Sequence, residues 1–307
     1  MPNREYNGDN ELRRTIKLFD PANWRPLNTG RRIDICQELE NHLAKESGRA
    51  PYRIIRNSDN ETYGSTVFSK KNIEINFDEG AYHCLASVVH ESRHADQYHL
   101  MEKRLNANYN PNAAEAYKKS LEENGLSEDD VLIMNWETIN YISGKKGTGS
   151  RQLYQMQLKE IDAEFESMKF LRKYSESMRE NPEFMDFLQD GEDKLADLQN
   201  SFKTDETVNR WFNDRKQKVL TIDPLLFNRE EQARLKAIYF SHNFEACNST
   251  ILTSFINWQK PERTGIRKIT LNELLGEKNK KPDCRQRPEA APSKPAKEKE
   301  KSGCSIL

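Results

Sequence analysis

Apolar residues first recur at helical spacing after a polar N-terminal stretch. Residues 1–30 are rich in charged residues and asparagine, which predicts an irregular arm. From residue 33 onward an apolar side chain returns at every third or fourth position, at Ile33, Cys36, Leu39 and Leu43. Residues three and four apart lie on the same face of an α-helix, so this segment is expected to form an amphipathic helix.

Three short stretches after this helix have the composition of β-strands: YRIIR at 52–56, STVFS at 65–69 and NIEINF at 72–77. The third alternates, with Ile73, Ile75 and Phe77 on one face and polar residues on the other. Strands with one apolar face pack that face on a core. A small sheet with one buried face is therefore predicted.

A long uninterrupted helix is predicted next, over the stretch AYHCLASVVHESRHADQYHLMEKRL that follows Gly80. The stretch contains neither proline nor glycine, and Val88 and Val89 are apolar neighbours of His90. The motif HESRH is therefore expected inside a mostly buried helix.

Helical periodicity continues almost throughout the chain to about residue 275. One long helix is expected over 151–177, and further helices over 181–201, 205–219 and 228–242. Beyond Gly276 the composition changes to Lys, Glu, Pro, Ala and Ser, which predicts a disordered tail.

The predicted fold class is α+β and predominantly helical, with the small sheet packed on the HESRH helix. Four segments are expected: an irregular arm (1–30), a domain of sheet and helices that contains HESRH (31–175), a helical region (176–275) and a disordered tail (276–307).

Composition narrows the classes of function. Hydrophobic residues make up 35% and charged residues 32% of the 307 residues, and the net charge is −1, which argues against a nucleic-acid partner. No apolar run of about 18 residues and no hydrophobic signal core is present, so an integral membrane protein is not expected. The five cysteines are scattered without CxxC spacing, which favours free thiols.

HESRH has the spacing of a catalytic zinc motif. His90 and His94 project side by side from a helix and can each direct a ring nitrogen at one ion. Glu91 is turned about 100° from His90, so it can hold an attacking water without binding the metal. The pattern predicts a Zn²⁺ site with Glu91 as the general base. The alternative is a pair of ordinary helix histidines.

Catalytic zinc also needs a third protein ligand. The extended motif HExxHxxGxxH would require glycine and histidine where the chain has Gln97 and Leu100, so that class of zincin is excluded. Candidates lie in YQMQLKEIDAEF, where Glu160, Asp162 and Glu164 are carboxylates. Spacing alone does not choose among them.

HESRHADQ resembles the HExRHxxQ motif of zincin-like metallopeptidases from bacteria and phages, and YQMQLKEIDAEF is similar to their downstream QPxExDA segment. The matching positions are Gln157, Glu160, Asp162 and Ala163, with Leu158 where the group usually has proline. The resemblance covers residues 31–175. It implies a gluzincin-like site in which Glu160 is the third zinc ligand and Asp162 is a supporting acid that does not touch the metal.

Two further residues are candidates for the site. Arg93 could pair with Asp162 and tie the two helices together; the alternative is a solvated arginine. Tyr154 could donate a hydrogen bond to a developing oxyanion; the alternative is a side chain that packs in the core.

The last four residues, CSIL, fit a C-a-a-X prenylation box with Cys304 as the lipid acceptor and Leu307 favouring geranylgeranyl. Residues 277–303 contain nine Lys or Arg against five Asp or Glu, a weak attraction to an anionic membrane surface. Prenyl transferases are eukaryotic, whereas the peptidase motifs resemble bacterial ones. The combination resembles secreted effectors of intracellular bacteria that a host prenyl transferase lipidates, and it predicts attachment to the cytoplasmic face of a host membrane.

Two functions follow as hypotheses. The first is a zinc-dependent endopeptidase that hydrolyses a protein substrate at that membrane face, with NIEINF as the edge strand that aligns the substrate. The alternative is a prenylated, membrane-tethered helical interaction protein whose metal site is structural or vestigial.

Overall fold

The computed structural model describes residues 9–261 except for 58–61, 143–150, 179–180, 203–204 and 241–247. The predicted disordered tail, with Cys304 and the C-a-a-X box, lies outside the described residues.

The three strand-like stretches form one sheet. β1 (Arg53–Arg56) pairs in parallel with β3 (Asn72–Ile75), and β2 (Gly64–Val67) pairs antiparallel with β3. The predicted alternation is present in β3, because Ile73 and Ile75 are fully buried. β3 is the central strand in the order β1-β3-β2. The expectation that NIEINF forms a sheet edge is therefore wrong, since strands pair with it on both sides.

α4 (Ala81–Tyr109) is the long helix that carries HESRH, and it runs for 29 residues directly after Gly80, as predicted. Strands β2 and β3 pack on it, together with α3 (Thr29–Glu46), the first predicted amphipathic helix. Leu85 and Val88 are fully buried along its core-facing side. The sheet and α3 thus hold the segment that contains both histidines.

The prediction of an irregular arm over residues 1–30 is wrong for most of its described part, residues 9–30. α1 (Asp9–Lys17) and α2 (Pro21–Trp24) precede α3, which itself begins at Thr29. Leu12 and Ile16 are four residues apart on one face of α1 and are almost fully buried, and Trp24 is buried as well. The few apolar residues of this polar stretch are enough to fix a short helix, because each of them packs into the main core.

Two helices follow α4 and end or begin as their sequences suggest. α5 (Ala114–Asn124) ends at Gly125, whose φ of 64° is the left-handed conformation that glycine adopts without strain. α6 (Glu128–Ile139) begins with a capping box, in which Ser127 and Asp130 bind each other's backbone N–H groups.

The single long helix expected over 151–177 is instead two helices, α7 (Arg151–Gln155) and α8 (Leu158–Tyr174). The helix is interrupted at Gln157. The side chain of this residue accepts a hydrogen bond from the Ile142 N–H at 3.0 Å and donates one to the Ile142 carbonyl at 3.1 Å. The backbone of Gln157 is extended, with φ −64° and ψ 134°, and this conformation interrupts the helix. The break places Glu160 in the first turn of α8.

Four more helices complete the described chain: α9 (Pro182–Ser201), α10 (Asp205–Val219), α11 (Arg229–Phe240) and α12 (Thr250–Ile256). α8 packs on α4, α6, α9 and α12. One hydrophobic core extends from Leu12 to Phe255. The predominantly helical α+β class is confirmed. Within the described ranges, no helix combines the length and apolar character needed to cross a bilayer.

Candidate metal centre

α4 and α8 bring three of the predicted ligands together. Glu160 Oε2 lies 3.5 Å from His94 Nε2 and 3.7 Å from His90 Nε2. One ligand atom from each of the three residues lies within 4.8 Å of the others. Glu164, which the spacing had left as an alternative, instead lies 3.4 Å from the other ring nitrogen of His90.

The distances from Glu160 to the two histidines resemble those between ligands of a tetrahedral zinc ion. Zn–N and Zn–O bonds of 2.0–2.2 Å place neighbouring ligand atoms about 3.3 Å apart, which is close to the distances from Glu160 to the two histidines. His94 is fully buried and its Nε2 makes no hydrogen bond. A buried polar atom without a hydrogen bond is costly, and a metal ion at this point would satisfy it.

The charge of Glu160 suits a metal ligand. Burial by itself raises the pKa of this carboxyl group, but the nearby imidazoles of His94 and His90 outweigh that effect and hold the pKa of Glu160 well below the ordinary value. Glu160 is therefore ionised at neutral pH although its side chain is only 4% exposed.

Gln97 fixes the ring of His94. Its Nε2 donates to Asp162 Oδ2 at 2.7 Å and to the Lys159 carbonyl at 2.9 Å. Its Oε1 therefore faces His94 Nδ1 at 2.9 Å as the acceptor. This arrangement puts the proton of the imidazole on Nδ1 and leaves Nε2 for a metal.

Asp162 and Arg93 pair as the sequence suggested. Arg93 donates to both oxygens of Asp162, at 2.7 and 3.0 Å, and both residues are buried. Asp162 is linked to His94 through Gln97. The supporting role that the resemblance implies for Asp162 stays a prediction.

Further buried charges continue behind this pair. Arg93 Nη1 lies 3.9 Å from Asp96, and Arg49 bridges Asp96 and Glu40 with contacts of 2.6 Å to each. Charges of alternating sign thus run from α3 through α4 to α8, which compensates each buried ion with neighbours of opposite sign. Through Asp162 and Gln97, this series of contacts reaches His94, a predicted metal ligand.

Glu91 is held by the sheet. Its side chain is buried, and the Thr66 hydroxyl lies 2.8 Å from its Oε2 and 2.9 Å from its carbonyl oxygen. Gly64, on the same strand β2, approaches so closely that a Cβ there would lie 3.1 Å from Glu91 Cγ. Glu91 lines the same cleft as His90 and Glu160.

Tyr154 lies in the site and also packs against the ring of Tyr141. Its hydroxyl donates to Glu160 Oε2 at 2.6 Å, and its ring contacts the ring of Tyr141 edge to face. The side chain is 6% exposed and lines the cleft. The hydroxyl therefore holds the ligand carboxylate, and its role as an oxyanion donor stays a prediction.

Above the ligands lies a cleft of about 310 Å³. Helices α8 and α9 contribute apolar side chains to the wall of this cleft: Met168, Phe187, Leu195 and Leu198. On the α4 side, His83 stacks on Tyr63 and meets Phe187 edge to face. Charged groups such as Arg151 and Lys194 also line it.

Sequence reasoning missed the functions of two residues. Gln97 was used only to exclude a histidine motif, although its place in HESRHADQ was a signal, because it lies one turn beyond His94. Thr66 was assigned to a strand without a role, and nothing in its local sequence indicates that it meets Glu91.

Comparison of the chain with models of known protein families, with curated proteins and with solved structures finds no match in any of the three.

Proposed function

We propose that the protein is a zinc-dependent endopeptidase with His90, His94 and Glu160 as the metal ligands. The observation that carries the proposal is the approach of these three ligand atoms, from two helices, within 4.8 Å of one another, beside a cleft that His90, Glu160 and Glu91 line.

When bound, zinc lowers the pKa of a coordinated water to about 7 and polarises a carbonyl oxygen. Glu91 takes the proton of the attacking water and passes it to the leaving amine. Thr66 and the close strand β2 hold the carboxylate for this transfer. Gln97 and Asp162 orient His94, and Tyr154 orients Glu160.

The cleft suggests the kind of peptide that is cleaved. Its α9 wall offers Phe187, Leu195 and Leu198, which fit an apolar side chain next to the scissile bond. A protein substrate with a large apolar residue at that position is therefore proposed.

Replacement of Glu91 by glutamine tests the proposal, because it keeps the shape and the ligands but removes the proton acceptor. The variant should retain zinc and its melting temperature while new N-termini, found by proteome-wide peptide mapping of cells that express the wild type, disappear. Glu102→Gln, an exposed change on the same helix α4, is the matched control and should cleave normally. An unchanged set of new N-termini in Glu91→Gln would favour the interaction-protein alternative.

The location remains a second, separate proposal that rests on sequence alone. We propose that a host prenyl transferase attaches geranylgeranyl to Cys304 and that the protein acts as a bacterial effector at the cytoplasmic face of a host membrane. Cys304→Ser should then release a fusion with a free C-terminus from membranes to the cytosol without a change in zinc content. Membrane retention of Cys304→Ser would refute this location.

A further inference from the structure

Lys159 is a cation in an unfavourable place. Its side chain is completely buried, and it is the second residue of α8. Burial penalises a charge, and a positive charge is also disfavoured at the N-terminal end of a helix, where the peptide dipoles already concentrate positive potential. A lysine at this point needs specific compensation.

Two carboxylates and an aromatic ring interact with the Lys159 ammonium group. Lys159 Nζ lies 4.0 Å from Glu160 Oε1 and 4.1 Å from the centre of the Tyr141 ring. Glu137, on α6, is fully buried and accepts the Leu158 N–H at 2.7 Å. Burial raises the pKa of Glu137 to about 7, and the charges of Arg215 and then Lys159 oppose that rise. Lys159 therefore lies close to the Glu160 carboxylate and also acts electrostatically on Glu137.

The two oxygens of Glu160 have different surroundings as a result. Oε2 faces His90, His94 and the Tyr154 hydroxyl, whereas Oε1 faces the Lys159 ammonium. Residues i and i+1 of a helix do not normally face each other. Their approach here occurs in the first turn, directly after the break at Gln157.

We propose that Lys159, through its approach to Glu160 Oε1, shares the negative charge of that carboxylate and so limits how tightly Glu160 holds a bound cation. This inference rests on the proposed metal at His90, His94 and Glu160. A purely structural lysine would support the ligand and so strengthen metal binding. A lysine that shares the carboxylate charge weakens it. The two roles predict opposite signs.

Zinc titration of the metal-free protein against a competing chelator measures the sign directly. The titration is done at pH 8, where proton competition for the histidines is small. Lys159→Met should bind zinc roughly tenfold more tightly than the wild type, because one nearby positive charge is removed. Glu137→Gln removes a buried negative charge that interacts with Lys159 and should bind zinc several times more weakly.

Lys169→Met is the matched control. Lys169 is also on α8 and also has a carboxylate partner and an aromatic partner, Glu166 at 2.6 Å and Phe165 at 5.4 Å, but its side chain is 42% exposed. It lies nine residues from Glu160, about 13 Å along the helix. Its zinc affinity should equal that of the wild type.

Equal or weaker zinc binding by folded Lys159→Met would overturn the inference while leaving the proposed function intact. If Lys159→Met does not fold, Glu137→Gln decides: unchanged or tighter binding there overturns the inference as well. A wild-type protein that binds no zinc would instead refute the metal site itself.

Discussion

At the scale of single residues, the site depends on how each ligand is oriented by its neighbours. His94 is directed by Gln97, Gln97 is directed by Asp162, and Asp162 is fixed by Arg93. Such supporting contacts determine which ring nitrogen is available to a metal.

Replacement of Gln97 by leucine tests this role. The change removes the acceptor of the His94 Nδ1–H and one donor to Asp162, so the ring of His94 is less well oriented. Zinc affinity should fall about 10–100-fold, the usual effect of losing a supporting contact. The measurement is a zinc titration of the metal-free protein, with Gln189→Leu on α9 as the control. Equal affinities in the two variants would show that Gln97 does not orient the ligand.

Some residues of the site could be predicted from the sequence and others could not. His90, Glu91 and His94 could be predicted because their geometry is set by the pitch of one helix. Glu160 needed the family resemblance, because spacing left Glu164 equally open and only the packing of α8 on α4 separates them. The contact of Thr66 with Glu91 links residues 25 positions apart, and no local pattern encodes it.

At the scale of elements, strand β2 packs on Glu91, the proposed general base. Gly64 gives β2 its close approach to Glu91, since a Cβ at that position would lie 3.1 Å from Glu91 Cγ and 3.2 Å from the Glu74 carbonyl oxygen. The backbone oxygen cannot move without disturbing the pairing of β2 with β3. Glycine at this position therefore allows the sheet and the active-site helix to meet.

Gly64→Ala should displace Glu91 by a few tenths of an ångström and lower kcat on the order of tenfold, since small misplacements of catalytic groups have large effects. Zinc content should not change, because no ligand is touched. Gly80→Ala is the control, as the nearest atom to a Cβ there is 3.5 Å away. Steady-state cleavage of a peptide substrate gives the comparison, and equal kcat in both variants would contradict this role for Gly64.

The start of α8 shows why element boundaries were harder to predict. The periodicity of residues 151–177 is compatible with one helix, but the backbone of Gln157 is extended and its side chain is bonded to Ile142 of another segment. Leu158 is the first residue of α8, a position where proline is favoured. Leucine in this chain supplies an N–H that proline lacks, and that N–H binds Glu137.

At the scale of the whole molecule, buried charge makes stability depend on pH. The folded protein raises the pKa of Glu137 from 4.5 to about 7 through burial, so it binds a proton there more tightly than the unfolded chain does. Ionisation of Glu137 therefore costs folding free energy progressively as the pH rises from about 4.5 to 7.

Glu137→Gln removes this penalty. Relative to the wild type, the variant should become more stable as the pH rises through that window, by at most about 3 kcal/mol. Urea unfolding of both metal-free proteins between pH 4.5 and 8 measures the difference, in which opposite effects such as that of Glu160 cancel. A difference that is constant across this range would contradict the raised pKa.

The class of fold could be predicted because helical and alternating periodicities were both clear. The packing between segments that are distant in the chain could not be predicted. α1 and α2 were missed since their sequence is polar on average, although Leu12 and Trp24 join the same core as Phe255.

The central claim is that His90, His94 and Glu160 together bind zinc, and elemental analysis of purified protein after incubation with zinc and dialysis tests it most directly. The wild type and Glu91→Gln should each carry about one zinc per chain, and His94→Ala and Glu160→Ala should lose it. Full retention of zinc in both His94→Ala and Glu160→Ala, or no zinc in the wild type, would contradict the assignment.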